Sequence, residues 1–410
     1  LYLFLFQRIF IPINPRKAAI SPSSPGRSLR IVYSRYHSTG FHPKAIITNF
    51  SGKCTVSPAL KYAKNRERRI TVTTLSFFAG ANTARGFFSY YDDLARECMN
   101  RVFILKGGPG TGKSTLIKNI AAKMQAEYDL DKYYCSADVH SLDGIHIRGL
   151  EVALLDGTAP HCLEPRLPGA VHELVDLGAC WQSQGLIENR NIISKLQEQI
   201  KKKYMIAYKW LEVAAGLADL MQTLERPPLE VAQAKAEAAK IAEFLPAEAW
   251  GKSKRAFASA ITANGLKSFL PELQSHSPCN VYLAGGNRVY NGYVLEKIKQ
   301  TIEDRNIGAM FLYCGFMPRH LEHIYIPGQL GIFSVHRPHL LPVEENIFGF
   351  TEKEPSPLEE QIVTVIAQAV SILATARSLH LELEKVYYPY IDFGAVQARE
   401  QQIFETITRQ

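Results

Sequence analysis

The sequence predicts an α/β fold of two tandem domains, each a mostly parallel sheet flanked by helices and followed by a long helical hairpin. Three observations predict it. A glycine loop stands between a strand-type run and an amphipathic run at 102–124, blocks of sequence recur 178 or 179 residues apart, and apolar residues at helical spacing follow each copy of the block.

The chain of 410 residues opens with a basic segment. Residues 1–71 hold 13 Lys and Arg against one acid, Glu67, and the remainder holds 34 basic and 38 acidic residues. The formal charge of +8 therefore sits in a Ser- and Pro-containing extension without helical or strand period, and the mildly acidic body argues against a nucleic-acid partner. The first methionine is Met99, and NRERRITV reads as a ribosome-binding tract at Arg68-Arg69 followed by a start at Val72, so residues 1–71 are expected to be translated upstream sequence. No apolar run reaches the roughly 18 residues of a membrane span. The seven cysteines show neither a CxxC pair nor zinc-ligand spacing, as expected of reduced thiols in a cytoplasmic protein.

The body divides into 72–250 and 251–410. FAGANTARG (78–86) recurs as FASAITANG (257–265), VFILKGGPGTGKSTLIKNI (102–120) aligns with NVYLAGGNRVYNGYVLEKI (280–298), and KYYCSAD (132–138) with FLYCGFM (311–317). In the first copy Gly107, Gly108, Pro109, Gly110, Thr111, Gly112, Lys113 and Ser114 satisfy GxxxxGK[ST], with Thr115 next in line. Glycines let backbone N–H groups turn toward phosphate, and a helix N-terminus adds partial positive charge. Lys113 is expected to reach the β- and γ-phosphates of ATP, and Ser114 to ligate Mg²⁺. EVALLDG reads as a buried strand whose final carboxylate, Asp156, is the second Mg²⁺ ligand.

The second copy acts as an internal control. Gly112, Lys113 and Ser114 become Tyr290, Asn291 and Gly292, and Asp156 maps to Ser334, so nucleotide is expected in the first half alone. His161 is matched by His339 and reads as a structural turn residue. Asp138 becomes Met317, which makes Asp138 the candidate for positioning water or acting as base; Asp143 keeps its charge as Glu322. Cys135, kept as Cys314, reads as a core thiol, and Arg85 as a weaker candidate for nucleotide contact.

Apolar residues from Ile193 to Leu224 recur in steps of three and four, giving a helix of 35–40 residues that Pro227-Pro228 ends. A shorter helix returns from it, making a hairpin over 185–245, and the second half repeats the pattern over 357–410. Such helices either bundle within the chain or present a surface to a protein partner.

GGPGTGKST, CSAD…SLDG and DGTAPH, with the two FAxAxTAxG elements, give the chain after residue 72 a resemblance to a family of bacterial tandem P-loop ATPases. The resemblance implies two P-loop domains in one chain, from which this sequence departs at 285–293. The expected function is Mg-ATP binding and hydrolysis at one site, with the second half supplying an arginine in trans from Arg288, Arg319 or Arg337. The alternatives are a kinase acting on a nucleotide or small molecule, with HIRGLE (146–151) and EPRLPG (164–169) as lid segments, and a nucleotide-gated switch that recruits a partner.

Overall fold

Short β-branched and aromatic runs become strands and the longer periodic runs become helices. The computed structural model describes residues 72–224, 229–247, 251–284, 288–335 and 356–409, with two short strands before them, β1 (Arg30–Arg35) and β2 (Ile46–Ile47). The rest of 1–71, for which low order was expected, lies outside the described residues.

The first repeat runs β3 (Thr74–Phe78), a hairpin of β4 (Gly80–Thr83) and β5 (Gly86–Ser89), β6 (Arg101–Lys106), α1 (Lys113–Met124), β7 (Leu130–Tyr134), β8 (Leu142–Ile147), β9 (Val152–Asp156), β10 (His172–Asp176), α2 (Ser183–Glu188), α3 (Arg190–Leu224) and α4 (Val231–Ala242). The second runs β11 (Lys254–Phe257), a hairpin of β12 (Ser259–Thr262) and β13 (Gly265–Ser268), α5 (Leu270–Ser275), β14 (Cys279–Ala284), α6 (Arg288–Asp304), β15 (Met310–Tyr313), β16 (Leu321–Ile326), β17 (Leu330–Val335), α7 (Pro357–Tyr387) and α8 (Phe393–Thr408).

Both repeats share one mixed sheet of 13 strands, ordered β10-β6-β9-β8-β7-β3-β11-β15-β16-β17-β14-β1-β2. Read outward from its centre, the first five strands of each half correspond in the same order, and the outermost differ, β10 on one side and β1 with β2 on the other. β3 pairs parallel with β7 as β11 does with β15, and β6 pairs parallel with β9 as β14 does with β17. The intervening meanders are antiparallel in both halves, and both carry a register shift at corresponding residues, Tyr133/Tyr134 and Leu312/Tyr313. The two hairpins match atom for atom: Thr83 Oγ1 donates to Gly86 O and Thr262 Oγ1 to Gly265 O, each at 2.7 Å. The glycines that close them have φ of 89° and 94°, a conformation that side chains with a Cβ disfavour.

The halves meet where β3 and β11 pair antiparallel through Phe78 and Phe257, residues that occupy the same place in each repeat. Nearby, buried Asn82 donates to the carbonyl of its own counterpart, Ile261 (3.0 Å), and to Ser136 O (3.2 Å). Two domains with separate sheets were expected. The strands join instead through one register pair, Phe78 with Phe257, at the edges that β3 and β11 would otherwise expose.

The helical hairpins are also corrected. α3 and α7 have the predicted lengths, but each packs on the other rather than on its own sequel. Ala207, Leu211, Ala214, Ala218 and Met221 of α3 meet Ile362, Ile366, Ala369 and Leu373 of α7 at steps of four and three, the spacing of a coiled-coil seam. The last turns of α7, at Leu383 and Tyr387, lie with Ile193, Leu196 and Ile200 of α3, so the helices run antiparallel.

The shorter helices cross between repeats. Ala234, Ala238 and Ile241 of α4 cover Val294, Leu295, Ile298 and Ile302 in the core that contains α6. Ile403 and Ile407 of α8 join Leu116, Ile117 and Ile120 of α1, and burying each isoleucine is worth roughly 1.5–3 kcal/mol. Each repeat thus closes the core of the other.

α7 also corrects the expectation about apolar runs. Pro357–Tyr390 is long and apolar enough, by length and composition, to cross a membrane. Its alanines, serines and threonines dilute the larger side chains, and its Ile362, Ile366, Ala369 and Leu373 are buried on α3.

Candidate functional site

The loop 107–112 leaves the end of β6 and enters α1. Gly110 has φ of 72° and Gly112 of 83°, turns that glycine alone makes without strain. They leave the N–H groups of Gly110, Gly112, Lys113 and Ser114 without an acceptor among the described residues, at the positive end of a 12-residue helix. Converging donors of this kind form an anion cradle.

Buried Thr111 braces the loop by donating to Gly108 O at 2.9 Å. Lys113 Nζ curls back to Gly107 O (3.0 Å) and Gly108 O (2.9 Å) and lies 3.8 Å from Asp156 Oδ2. The sequence-predicted Lys113, Ser114 and Asp156 are therefore brought together, and Thr115 is exposed in the first turn of α1.

Asp156 ends β9 beside β6, with Leu105 as its register partner. Thr158 donates its N–H at 2.8 Å and its hydroxyl to Asp156 Oδ1, leaving Oδ2 toward Lys113. Ser114 Oγ accepts from Leu142 N–H at 2.9 Å and keeps one lone pair. No group of three or more His, Cys, Asp or Glu gathers at metal-binding geometry among the described residues. One hydroxyl and one carboxylate suit Mg²⁺, which keeps several waters and takes phosphate oxygens rather than a full protein cage.

Asp138 sits in the turn after β7. Its carboxylate accepts from Ser141 Oγ (2.9 Å) and His140 N–H (3.2 Å) and pairs with Arg377 of α7 at 2.7 Å. A carboxylate so engaged ties its turn to the helix across from it.

A second acidic residue, Asp143, lies deeper, buried at the start of β8. Its Oδ2 accepts from Tyr91 Oη (3.0 Å) and faces His161 Nε2 (3.3 Å). His161 packs against the rings of Phe87 and Tyr91, as a structural residue does, and its buried Nδ1 has no partner. Burial opposes the imidazolium, but the charge and hydrogen bond of Asp143 outweigh it and raise the His161 pKa; Asp156 adds to the rise and Lys113 subtracts. Burial, then Asp143, pushes the Cys135 thiol well up, so it stays protonated; Cys135 was expected inside a core strand and instead lies one residue past β7, half-buried.

The loop is covered by α7 and α8 of the second repeat together with Trp181 of the first. A Cβ on Gly108 would lie 3.0 Å from Trp181 and 3.3 Å from Tyr387, and one on Gly110 would lie 3.4 Å from Glu384 O. Val396 of α8 is the nearest neighbour of Gly112, at 3.6 Å from a Cβ there. Sequence reasoning missed this cover. Its signal was the spacing of Arg377, His380, Glu384 and Tyr387, which places them on one face of α7.

Of the three arginines suggested as trans cations, two are described, and neither bonds to the glycine loop among the described residues. Arg288 is buried in its own repeat, donating to Met317 Sδ (2.8 Å) beside Glu322 (3.8 Å). Arg319 is exposed in the turn between β15 and β16, and Arg337 lies outside the described residues. Of the suggested lid arginines, Arg148 pairs with Asp131 (3.3 Å) and Arg166 with Asp92 (3.0 Å).

At the matching place in the second repeat, Asn291 Nδ2 donates to Ser334 Oγ at 2.8 Å and to Leu283 O at 3.2 Å. A neutral hydrogen bond thus stands where Lys113 and Asp156 stand in the first. Tyr290, in the place of Gly112, donates to Glu237 of α4 at 2.7 Å. Comparison with protein-family models, with curated proteins and with solved structures finds no match to the chain.

Proposed function

We propose that the chain is a P-loop NTPase that binds Mg-ATP at the first repeat and hydrolyses it, with the second repeat a degenerate P-loop domain that completes the site without binding nucleotide itself. The observation that carries this reading is the set of free N–H groups at Gly110, Gly112, Lys113 and Ser114, with the Lys113 ammonium held between the loop carbonyls and Asp156.

On this reading the loop amides hold the β-phosphate and the macrodipole of α1 favours its charge. Lys113 leaves the carbonyls of Gly107 and Gly108 for the phosphate oxygens, a short swing for a flexible four-carbon stem. Ser114 and Asp156 hold Mg²⁺, which when bound neutralises charge on the β- and γ-phosphate oxygens. Trp181, Tyr387 and the backbone of Glu384 border the loop at Gly108 and Gly110.

The cover by α7 also favours a second reading, a nucleotide-gated switch with slow turnover, because a ligand there must act directly on a helix of the other repeat. Phosphate release from Mg-ATP by the purified chain, with fluorescent ATP analogue binding measured alongside, tests both. Release without added acceptor supports hydrolysis, binding without release supports the switch, and ADP formation that depends on added metabolites supports a kinase. Absence of binding by a folded chain rejects all three.

A further inference from the structure

The proposal here rests on the nucleotide reading above and concerns what the second repeat contributes to it. We propose that Arg377, carried by the second repeat on α7, is the cation that meets the γ-phosphate of a nucleotide held in the first repeat, and that Asp138 occupies its guanidinium when nucleotide is absent.

The geometry runs along one helix face. Arg377, His380, Glu384 and Tyr387 follow one another at steps of three, four and three. Tyr387 is buried against Trp181, with ring centroids 5.9 Å apart, and borders Gly108; the backbone of Glu384 borders Gly110. At 1.5 Å per residue, Arg377 lies about 10 Å further along the helix from Glu384. There it meets Asp138, whose turn continues through Ser141 to Leu142, the residue whose N–H holds Ser114. One end of the face therefore touches the glycine loop, and the other touches the turn that positions the metal-ligating hydroxyl.

His380 lies between these ends. Its side chain is exposed and lies 3.6 Å from Glu384.

The Arg377–Asp138 pair does not use the whole guanidinium. Both side chains are 28% exposed, so solvent screens part of their attraction. Arg377 Nε is buried without an acceptor among the described residues, which costs stability unless a ligand supplies one. A guanidinium fork with one N–H group engaged and a buried one unmet suits a phosphate, whose oxygens accept in the same planar pattern as a carboxylate. The second repeat, which has Met317 in the place of Asp138, offers no carboxylate there to hold such a cation.

The test uses the full chain and three variants, Arg377→Ala, Arg377→Lys and Asp138→Asn, with turnover, KM and binding of ADP alone and ADP with aluminium fluoride. Arg377→Ala is expected to lower kcat by on the order of 10³-fold, to change KM by less than about threefold, and to lose tightened binding of the aluminium fluoride complex while keeping ADP. Arg377→Lys should recover little of this, because an ammonium lacks the fork. Asp138→Asn breaks the same ion pair and should lose far less than Arg377→Ala. Equal losses in Asp138→Asn and Arg377→Ala, or parent-like turnover and fluoride-complex binding in Arg377→Ala, overturn the assignment. If Arg377→Ala does not fold, Arg377→Lys decides: fluoride-complex binding as tight as the parent's overturns it. Failure of the parent itself to bind nucleotide overturns the underlying reading, and is seen before any variant is made.

Discussion

Exchanging Lys113 and Asp156 for the residues at the matching places of the second repeat, Lys113→Asn with Asp156→Ser, separates what the fold needs from what the ligand needs. In the parent the two charges lie 3.8 Å apart with side chains 11% and 15% exposed. Coulomb's law at that distance gives roughly 4 kcal/mol at an effective dielectric of 20 and about 1 kcal/mol in bulk water. Lost hydration of both ions offsets most of this, leaving a net contribution on the order of 1 kcal/mol. The replacement already exists in the same chain as the Asn291–Ser334 hydrogen bond at 2.8 Å, a type worth about 0.5–1.5 kcal/mol. The double variant should therefore unfold in urea within about 1 kcal/mol of the parent. Its affinity for a fluorescent ATP analogue with Mg²⁺ should fall by at least about 100-fold, because two interactions with charged groups, each about 1.5–3 kcal/mol, are lost. A folded double variant that binds like the parent refutes the phosphate site at Lys113. A stability loss above about 3 kcal/mol refutes the equivalence of the two pairs.

Three further outcomes are expected. Asn82→Ala leaves Ser136 O, Ile261 O and Tyr208 Oη without their buried partner, so urea unfolding should show a loss of about 2–4 kcal/mol; a loss below about 1 kcal/mol would mean the junction does not depend on it. Gly112→Ala places a Cβ no closer than 3.6 Å to Val396, so its cost is backbone strain of about 1–2 kcal/mol at φ of 83°, with weakened nucleotide binding; a neutral substitution would show that the turn relaxes. The folded-state pKa of His161 is raised, so the stabilisation it gives is full below the ordinary value of about 6.5 and lost as pH rises through the folded-state value. The difference in unfolding free energy between the parent and His161→Gln should therefore shrink from pH 5.5 toward pH 9, and a difference independent of pH would contradict the Asp143 pairing.

Local pattern made much of the fold legible. RVFILK and VALLD became β6 and β9, and the periodic run from Ile193 fell within a helix ending at Leu224. The repeat offset located corresponding strands, and the glycine pattern located Lys113, Ser114 and Asp156 in one place. Partner choice was not legible. The apolar stripe of α4 fits its own α3 or the α6 of the other repeat equally well by period, and only the surface that remains uncovered decides between them. The same gap hid Arg377, because its neighbours at Asp138 come from a segment 239 residues earlier. Asp138 was singled out because its charge is lost in the second copy. On the role proposed for Arg377, that loss has a physical cause: the cation it pairs with serves the first repeat alone.

The exchange of helices bears on why a degenerate second copy persists. If each repeat closed its own core, loss of nucleotide ligands in the second would leave the first independent of it, and the second could be lost without effect on the first. Here α1, which follows the glycine loop, is covered by Ile403 and Ile407 of α8, and Gly108 and Gly110 are bordered by α7. The second repeat is held to its fold by what it covers rather than by what it binds. That constraint acts on the apolar positions of α7 and α8 and on the β11 edge, and it leaves the positions of Lys113, Ser114 and Asp156 free to change in the second copy. Asn291, Gly292 and Ser334 meet that constraint: small or neutral groups that keep the strand and helix packed, with Asn291 and Ser334 satisfying each other where the first repeat has Lys113 and Asp156.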